Sequence, residues 1–269
     1  MADAPSRPLI TLLTDFGTAD GYVGALKGVI LSLNPGAVLV DLSHQVPPQD
    51  ILAGALVLRA AAPYFPSGSI HLAVVDPGVG TVRRGLALRC GPHTFVGPDN
   101  GLFTLVLAAG PDFQAVSLQN PAYFLPRLSP TFHGRDLFAP VAAHLSLGVP
   151  LNDLGPPVTD PVRLLLPAPR VSPQAWVGEI LHVDHFGNLI SNIPFDALLS
   201  WAQGRPIAVR LGGGREPRLV QTYGEAGPGE WVALGGSHGY LEIARVQGSA
   251  AGSLGNGRGL PVEVRLAED

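Results

Sequence analysis

The chain has 269 residues, 46% of them hydrophobic and 14% charged, with a formal net charge of −4. That length suits about two domains with cores of their own. The scattered lysines and arginines exclude the basic stripe that a nucleic-acid partner requires, and a single cysteine, Cys90, excludes an internal disulfide and a cysteine-based zinc cluster.

At the start of the chain, Met1 to Pro8 is short and polar, without a charged-then-apolar leader. No apolar run reaches the roughly 18 residues of a membrane helix, so the cytoplasm is the expected compartment. Ile10 to Leu13 predicts a buried strand ending in a tight turn at Thr14-Asp15-Phe16-Gly17. A helix is expected from about Gly21 to Leu33, with Asp20 as its cap and Asn34-Pro35-Gly36 as its stop. Val38 to Leu42 repeats the strand pattern. Pro48 and Asp50 then open a helix through about Ala61, and Ile70 to Val75 is a third strand ending at Asp76-Pro77-Gly78. This strand–helix alternation predicts an α/β domain with a central, largely parallel sheet. Asp15, Ser43-His44 and Asp76 each follow the C-terminal end of a predicted strand, where open α/β sheets bind ligands.

Leu86 to Arg89 and Thr94 to Val96 predict a hairpin around Gly91-Pro92, with helices over Gly101 to Ala109 and Phe138 to Leu147. A proline-rich stretch from Gly155 to Pro173 marks a boundary. Beyond it Val177 to Val183, Ile207 to Leu211, Trp231 to Leu234, Tyr240 to Val246 and Val262 to Leu266 predict short strands between Gly/Pro turns, hence a small all-β, barrel-like domain. The expected organisation is an α/β domain over 1–160, a linker over 161–173 and a β domain over 174–269.

Four segments could carry chemistry. Val74 to Arg84 sets an acid at a strand end before a glycine-bearing turn and two arginines, Arg83 and Arg84. A phosphate loop fits it poorly, because no Lys-Ser/Thr follows; a plain salt-bridged turn remains open. Thr131 to Asp136 packs His133, Arg135 and Asp136 closely enough for proton handling, or for a structural ion pair at a helix start. In His182 to Asn188 a strand would put His182 and Asp184 on one face, but no third metal ligand presents itself at helical spacing. A nucleobase suits this segment better: Phe186 offers a stacking face and Asn188 a donor–acceptor pair. Gly235 to Tyr240 is either a hairpin turn or a close backbone approach to a ligand.

Taken together, these segments resemble the S-adenosylmethionine hydroxide adenosyltransferase family, which is related to the fluorinases and chlorinases. The resemblance runs in order through TDFG at Thr14 to Gly17, SH at Ser43-His44, VDPGVGT at Val75 to Thr81 and Arg83. It continues through PDNG at Pro98 to Gly101, FHGRD at Phe132 to Asp136, DHFGN at Asp184 to Asn188 and GSHGYLEIA at Gly236 to Ala244. It implies hydrolysis of S-adenosyl-L-methionine to adenosine and L-methionine by water attacking the ribose C5′, without metal or other cofactor. It also implies a homotrimer with this small-molecule substrate bound between subunits, in keeping with the sparse charge. Asp76, Arg83 and His133 would act on the water, with Arg84 a competitor for the arginine role. Asp15 would hold the ribose hydroxyls, Phe186 and Asn188 the adenine with help from Ser237, and Asp184 the methionine amino group.

A halide adenosyltransferase is the nearest alternative. An unpaired Asp76 carboxylate beside the nucleophile would repel a desolvated anion by several kcal/mol at an effective dielectric near 20, and Gly134 offers a halide no hydroxyl. A non-catalytic adenosine or S-adenosylmethionine sensor would need Asp15, Phe186 and Asn188 but not Asp76, Arg83 and His133. A metal-dependent hydrolase would be inhibited by a chelator.

Overall fold

A computed structural model describes residues 7–110, 112–255 and 257–267. The chain divides into two compact units, the first ending at Leu164 and the second beginning at Leu165.

In the first unit, β1 (Leu9–Thr14), α1 (Tyr22–Leu33), β2 (Val38–Ser43), α2 (Ile51–Ala61) and β3 (Ile70–Val74) alternate, followed by β4 (Gly85–Cys90), β5 (His93–Pro98), α3 (Thr104–Ala109) and β6 (Phe113–Ser117). The sheet order is β2-β1-β3-β5-β4-β6. The first four of these strands run parallel, and β4 pairs antiparallel with both β5 and β6. Strand β1 is apolar on both faces apart from Thr11, because both faces are covered; Ile10, Leu12 and Leu13 are all fully buried. Helix α1 turns Val23, Leu26 and Ile30, one helical stripe, toward the core. Its cap is Gly21, with no side-chain bond, so Asp20 does not cap it. Asp50 does cap α2, accepting from the Ala53 N–H at 3.0 Å.

The helix expected from Phe138 begins earlier than its apolar pattern suggests. A π-helical turn over Gly134–Phe138 leads into α4 (Ala139–Ser146). A single wide turn has no periodic signature, and such turns favour functional sites.

The second unit contains β7 (Arg170–Val171), β8 (Ala175–Val183), β9 (Leu189–Pro194), α5 (Phe195–Ala202), β10 (Ile207–Leu211), β11 (Arg218–Leu219), β12 (Trp231–Gly235), β13 (Tyr240–Arg245), α6 (Ala250–Leu254) and β14 (Pro261–Leu266). Strands run in the order β10-β14-β8-β9-β13-β12-β11, with β7 beside β8. The first half of β8 pairs with β14 and its second half with β9, across an irregularity between Ile180 and His182. That long strand wraps the sheet into a nearly closed, barrel-like form around Trp176, Ile193, Leu211, Ile243 and Val264. Two short helices, α5 and α6, accompany the strands.

Candidate active site

The parallel strands of the first unit deliver Asp15 and Asp76 to one edge of the sheet, just past β1 and β3. Both line a cleft of about 630 Å³ that is also walled by Phe16, Gln49, Phe132 and His133. One oxygen of Asp15, Oδ2, accepts the Gln49 backbone N–H at 2.8 Å. Gln49 has φ 66°, a left-handed conformation uncommon for a residue with a side chain and concentrated at functional loops.

The loop after Asp76 doubles back through Gly80, at φ 78°. A Cβ there would collide with the Pro130 carbonyl oxygen, so glycine alone lets this loop lie against the segment that leads to His133. Arg83 then grips Asp76 through Nε, at 2.8 Å from Oδ1, and through Nη2 to Oδ2. The same Nη2 lies 2.9 Å from His133 Nδ1. Both side chains of the ion pair are nearly inaccessible, Asp76 at 4% and Arg83 at 11% exposed. Arg83 also packs over the Phe138 ring, 5.1 Å from its centroid.

These contacts set proton positions. A guanidinium can only donate, so His133 Nδ1 accepts and its ring proton sits on Nε2. Burial, and then the Arg83 charge, hold His133 below the ordinary histidine range against the opposing pull of Asp76 and Asp136. His133 is therefore neutral at pH 7 and presents an N–H at Nε2.

Arg84 faces elsewhere. It donates to Asp99 at 2.7 Å and to Asp160 at 3.0 Å. Adjacent residues in an extended chain point to opposite sides, and that separates Arg83 from its competitor Arg84. In FHGRD only His133 joins the ion pair. Asp136 accepts from Arg135 at 2.6 Å and from the Ser129 N–H at 2.7 Å. Burial raises its pKa, but those bonds outweigh burial and hold it low. It organises the loop that carries His133.

In the second unit, Asp184 lies in the turn after β8 rather than on the strand with His182. Its Oδ1 accepts the N–H groups of Phe186 at 2.9 Å and Asn188 at 2.8 Å, and its Oδ2 accepts Asn188 Nδ2 at 2.9 Å. The turn closes through Gly187, φ 84°, whose missing Cβ makes room for Ser249. The result holds the Asn188 amide in a fixed orientation and leaves Phe186 73% exposed. Ser237 sits on the turn between β12 and β13, where Gly236 N–H bonds the Tyr240 carbonyl at 2.9 Å. Among the described residues no group of three His, Cys, Asp or Glu could hold a metal ion, and no helix is long and apolar enough to cross a membrane.

Two polar groups of this unit escaped the sequence reading. Tyr223 donates its hydroxyl to Glu242, which is buried and whose pKa burial raises. A carboxylate between the buried apolar residues Leu241 and Ile243 of β13 was the available signal.

The fold is that of a two-unit α/β plus barrel-like β protein, with one such residue constellation in each unit. Residues 10–155 match the SAM hydroxide adenosyltransferase N-terminal domain and residues 178–263 its C-terminal domain. The chain belongs to the SAM hydroxide adenosyltransferase family. It is 45% identical over 252 residues to an (R)-S-adenosyl-L-methionine hydrolase of Salinispora tropica, covering 92% of this chain and 94% of that one. It is 32% identical to a fluorinase from an Actinoplanes species, over 98% of this chain and 99% of that one. In three dimensions it resembles an uncharacterised conserved protein from Thermotoga maritima with a TM-score of 0.89 and 36% identity, covering 95% of this chain and 99% of that one.

Proposed function

We propose that this chain is an (R)-S-adenosyl-L-methionine hydrolase that releases adenosine and L-methionine through attack of water on the ribose C5′. The observation that carries the reading is the buried Asp76–Arg83–His133 assembly at the cleft where Asp15 is also presented. It sets an acceptor and an N–H donor side by side, which is what positioning one water molecule requires.

A sulfonium leaves as a neutral thioether, so the reaction calls for no metal or cofactor. The water oxygen bonds C5′ as the C5′–S bond breaks, and the bonding pair stays on methionine sulfur. The water proton passes to Asp76. His133 has its Nδ1 occupied by Arg83 and a proton on Nε2, so it orients the water rather than deprotonating it. Hydroxide character on the water and positive charge on sulfur vanish together, which a dry, low-dielectric site accelerates.

Asp15 takes the ribose hydroxyls through Oδ1, since Oδ2 is engaged by Gln49. Phe186 stacks on adenine, and Asn188 and Ser237 bond its edge. Asp184 Oδ2 keeps a lone pair beyond its turn bond for the methionine ammonium. A homotrimer with substrate shared between subunits, in the cytoplasm, completes the reading. The sparse charge and the exposed apolar side chain of Val82 support association.

One premise against a halide nucleophile is corrected. Asp76 is paired by Arg83, not unpaired, so its repulsion of an anion is largely offset. Chloride is therefore part of the test. Purified protein is incubated with S-adenosylmethionine in ¹⁸O water, with and without chloride and a chelator, and the products are read by mass spectrometry. Adenosine labelled at its 5′ oxygen, indifferent to both additions, is expected. Chloride-dependent 5′-chloro-5′-deoxyadenosine would overturn the hydrolase reading, and a stoichiometric bound nucleoside without turnover would make the protein a sensor.

A further inference from the structure

We infer that His44 is a positioning residue for the ribose end of the site, acting through Thr14 and the Asp15 turn without touching substrate. The inference rests on the proposed ribose role of Asp15 and adds to it the group that holds Asp15 in place.

The Asp15 turn lies beyond the regular ladder of the sheet. Pairing between β1 and β2 slips at Leu12/Leu13, opposite Asp41 and Ser43. Past that slip the two strand ends are joined through His44. The Gly17 N–H donates to the His44 carbonyl at 2.8 Å. The His44 Nδ1 and the Thr14 hydroxyl are 2.8 Å apart, and the same hydroxyl oxygen accepts the Phe16 N–H at 3.3 Å. Asp15 is thus flanked by Thr14, tied to the His44 imidazole, and by Gly17, tied to the His44 backbone carbonyl. The same loop, five residues on, supplies the Gln49 N–H that engages Asp15 Oδ2.

His44 is itself anchored. Its Nε2 lies within ion-pairing distance of Asp41 Oδ1, at 3.0 Å though out of line for a hydrogen bond, and Asp41 Oδ2 receives Lys27 Nζ of α1 at 2.7 Å. Both His44 and Thr14 are buried, at 5% and 0% exposed. Buried polar side chains held by several partners lock one geometry more firmly than a single bond does. A carboxylate that must meet a vicinal diol with both contacts in register gains from such locking, because a small tilt loses one contact. The proton-handling steps leave His44 without another task.

A space-filling role would affect any ligand of the cleft alike, whereas a role through Asp15 affects only ligands with ribose hydroxyls. The experiment measures binding of adenosine and of 2′,3′-dideoxyadenosine to the full chain by calorimetry, with thermal unfolding recorded in parallel. Wild-type protein is expected to prefer adenosine. His44→Ala should lose about tenfold in adenosine affinity, the worth of roughly one well-placed hydrogen bond, and leave dideoxyadenosine affinity unchanged. His44→Asn, whose carboxamide oxygen can accept the Thr14 hydroxyl, should recover most of the loss. Thr14→Val should reproduce His44→Ala, and it decides the matter if His44→Ala does not fold. Equal losses for both nucleosides, or no loss for either, overturn the positioning role while leaving Asp15 as ribose ligand. A wild-type protein that binds the two nucleosides equally overturns the ribose role itself, and this inference with it.

Discussion

Arg83 closes on Asp76 with two nitrogens, and the pair is buried just past the end of β3. Burying an ion pair brings little net stability, because desolvation offsets attraction. Its value here is geometric: the guanidinium holds the carboxylate still and has Nη2 left over to hold His133.

Asp76→Asn should therefore abolish most turnover, by about 10²–10⁴-fold for a lost proton acceptor, while adenosine still binds. Single-turnover product analysis alongside calorimetry checks this; a wild-type rate would remove Asp76 from the mechanism.

The two neighbouring arginines should separate cleanly. Arg83→Ala is expected to be inactive. Arg84→Ala should keep wild-type turnover and lose about 1–3 kcal/mol of stability, because Asp99 loses a charged donor. Denaturant unfolding and initial rates on both variants distinguish them. Loss of turnover with Arg84→Ala at unchanged stability would reverse the assignment.

Phe186→Ala should leave the melting temperature unchanged, since the ring is mostly exposed. It should weaken adenosine binding by about 1–3 kcal/mol, the usual worth of one base stacked on an aromatic ring. Unaltered affinity would take Phe186 out of the adenine site.

Acid should destabilise the fold through His71. Burial, and then the neighbouring His93, push its pKa from 6.5 down to about 3. Between those values the unfolded chain binds a proton that the native state refuses, so stability is complete above pH 6.5 and falls as pH drops toward 3. Each pKa unit of separation is worth about 1.4 kcal/mol. Urea unfolding at several pH values should show a shallower acid slope for His71→Leu than for wild type. An unchanged slope would place the acid-sensitive group elsewhere.

Much of this molecule is legible along the chain. Alternating apolar runs and helix stripes forecast the parallel sheet, because burial on both faces leaves a largely apolar strand pattern at Ile10 to Leu13 and at Ile70 to Val75, with one polar residue in each. The strand-end placement of Asp15 and Asp76 followed from that pattern. Strand β9 and helix α5 were not anticipated: Leu189 to Pro194 runs directly into Phe195 without a turn residue other than Pro194 to separate strand from helix.

The partnerships were not legible. Asp76 and Arg83 are seven residues apart and His133 is fifty further on; a one-dimensional pattern leaves Arg84 a competitor of Arg83, and would leave Asp76 unpaired. Which arginine turns inward depends on the loop folding back at Gly80 against Pro130, a steric fact that exists only once distant segments meet. Residue order was enough for most elements of the first unit, the strand-end acids and the family motifs, because these arise from local periodicity and chain direction. Charge pairing, the His133 tautomer and the bridging of Thr14 by His44 arise from contacts between segments far apart in the chain, so they waited on the folded arrangement.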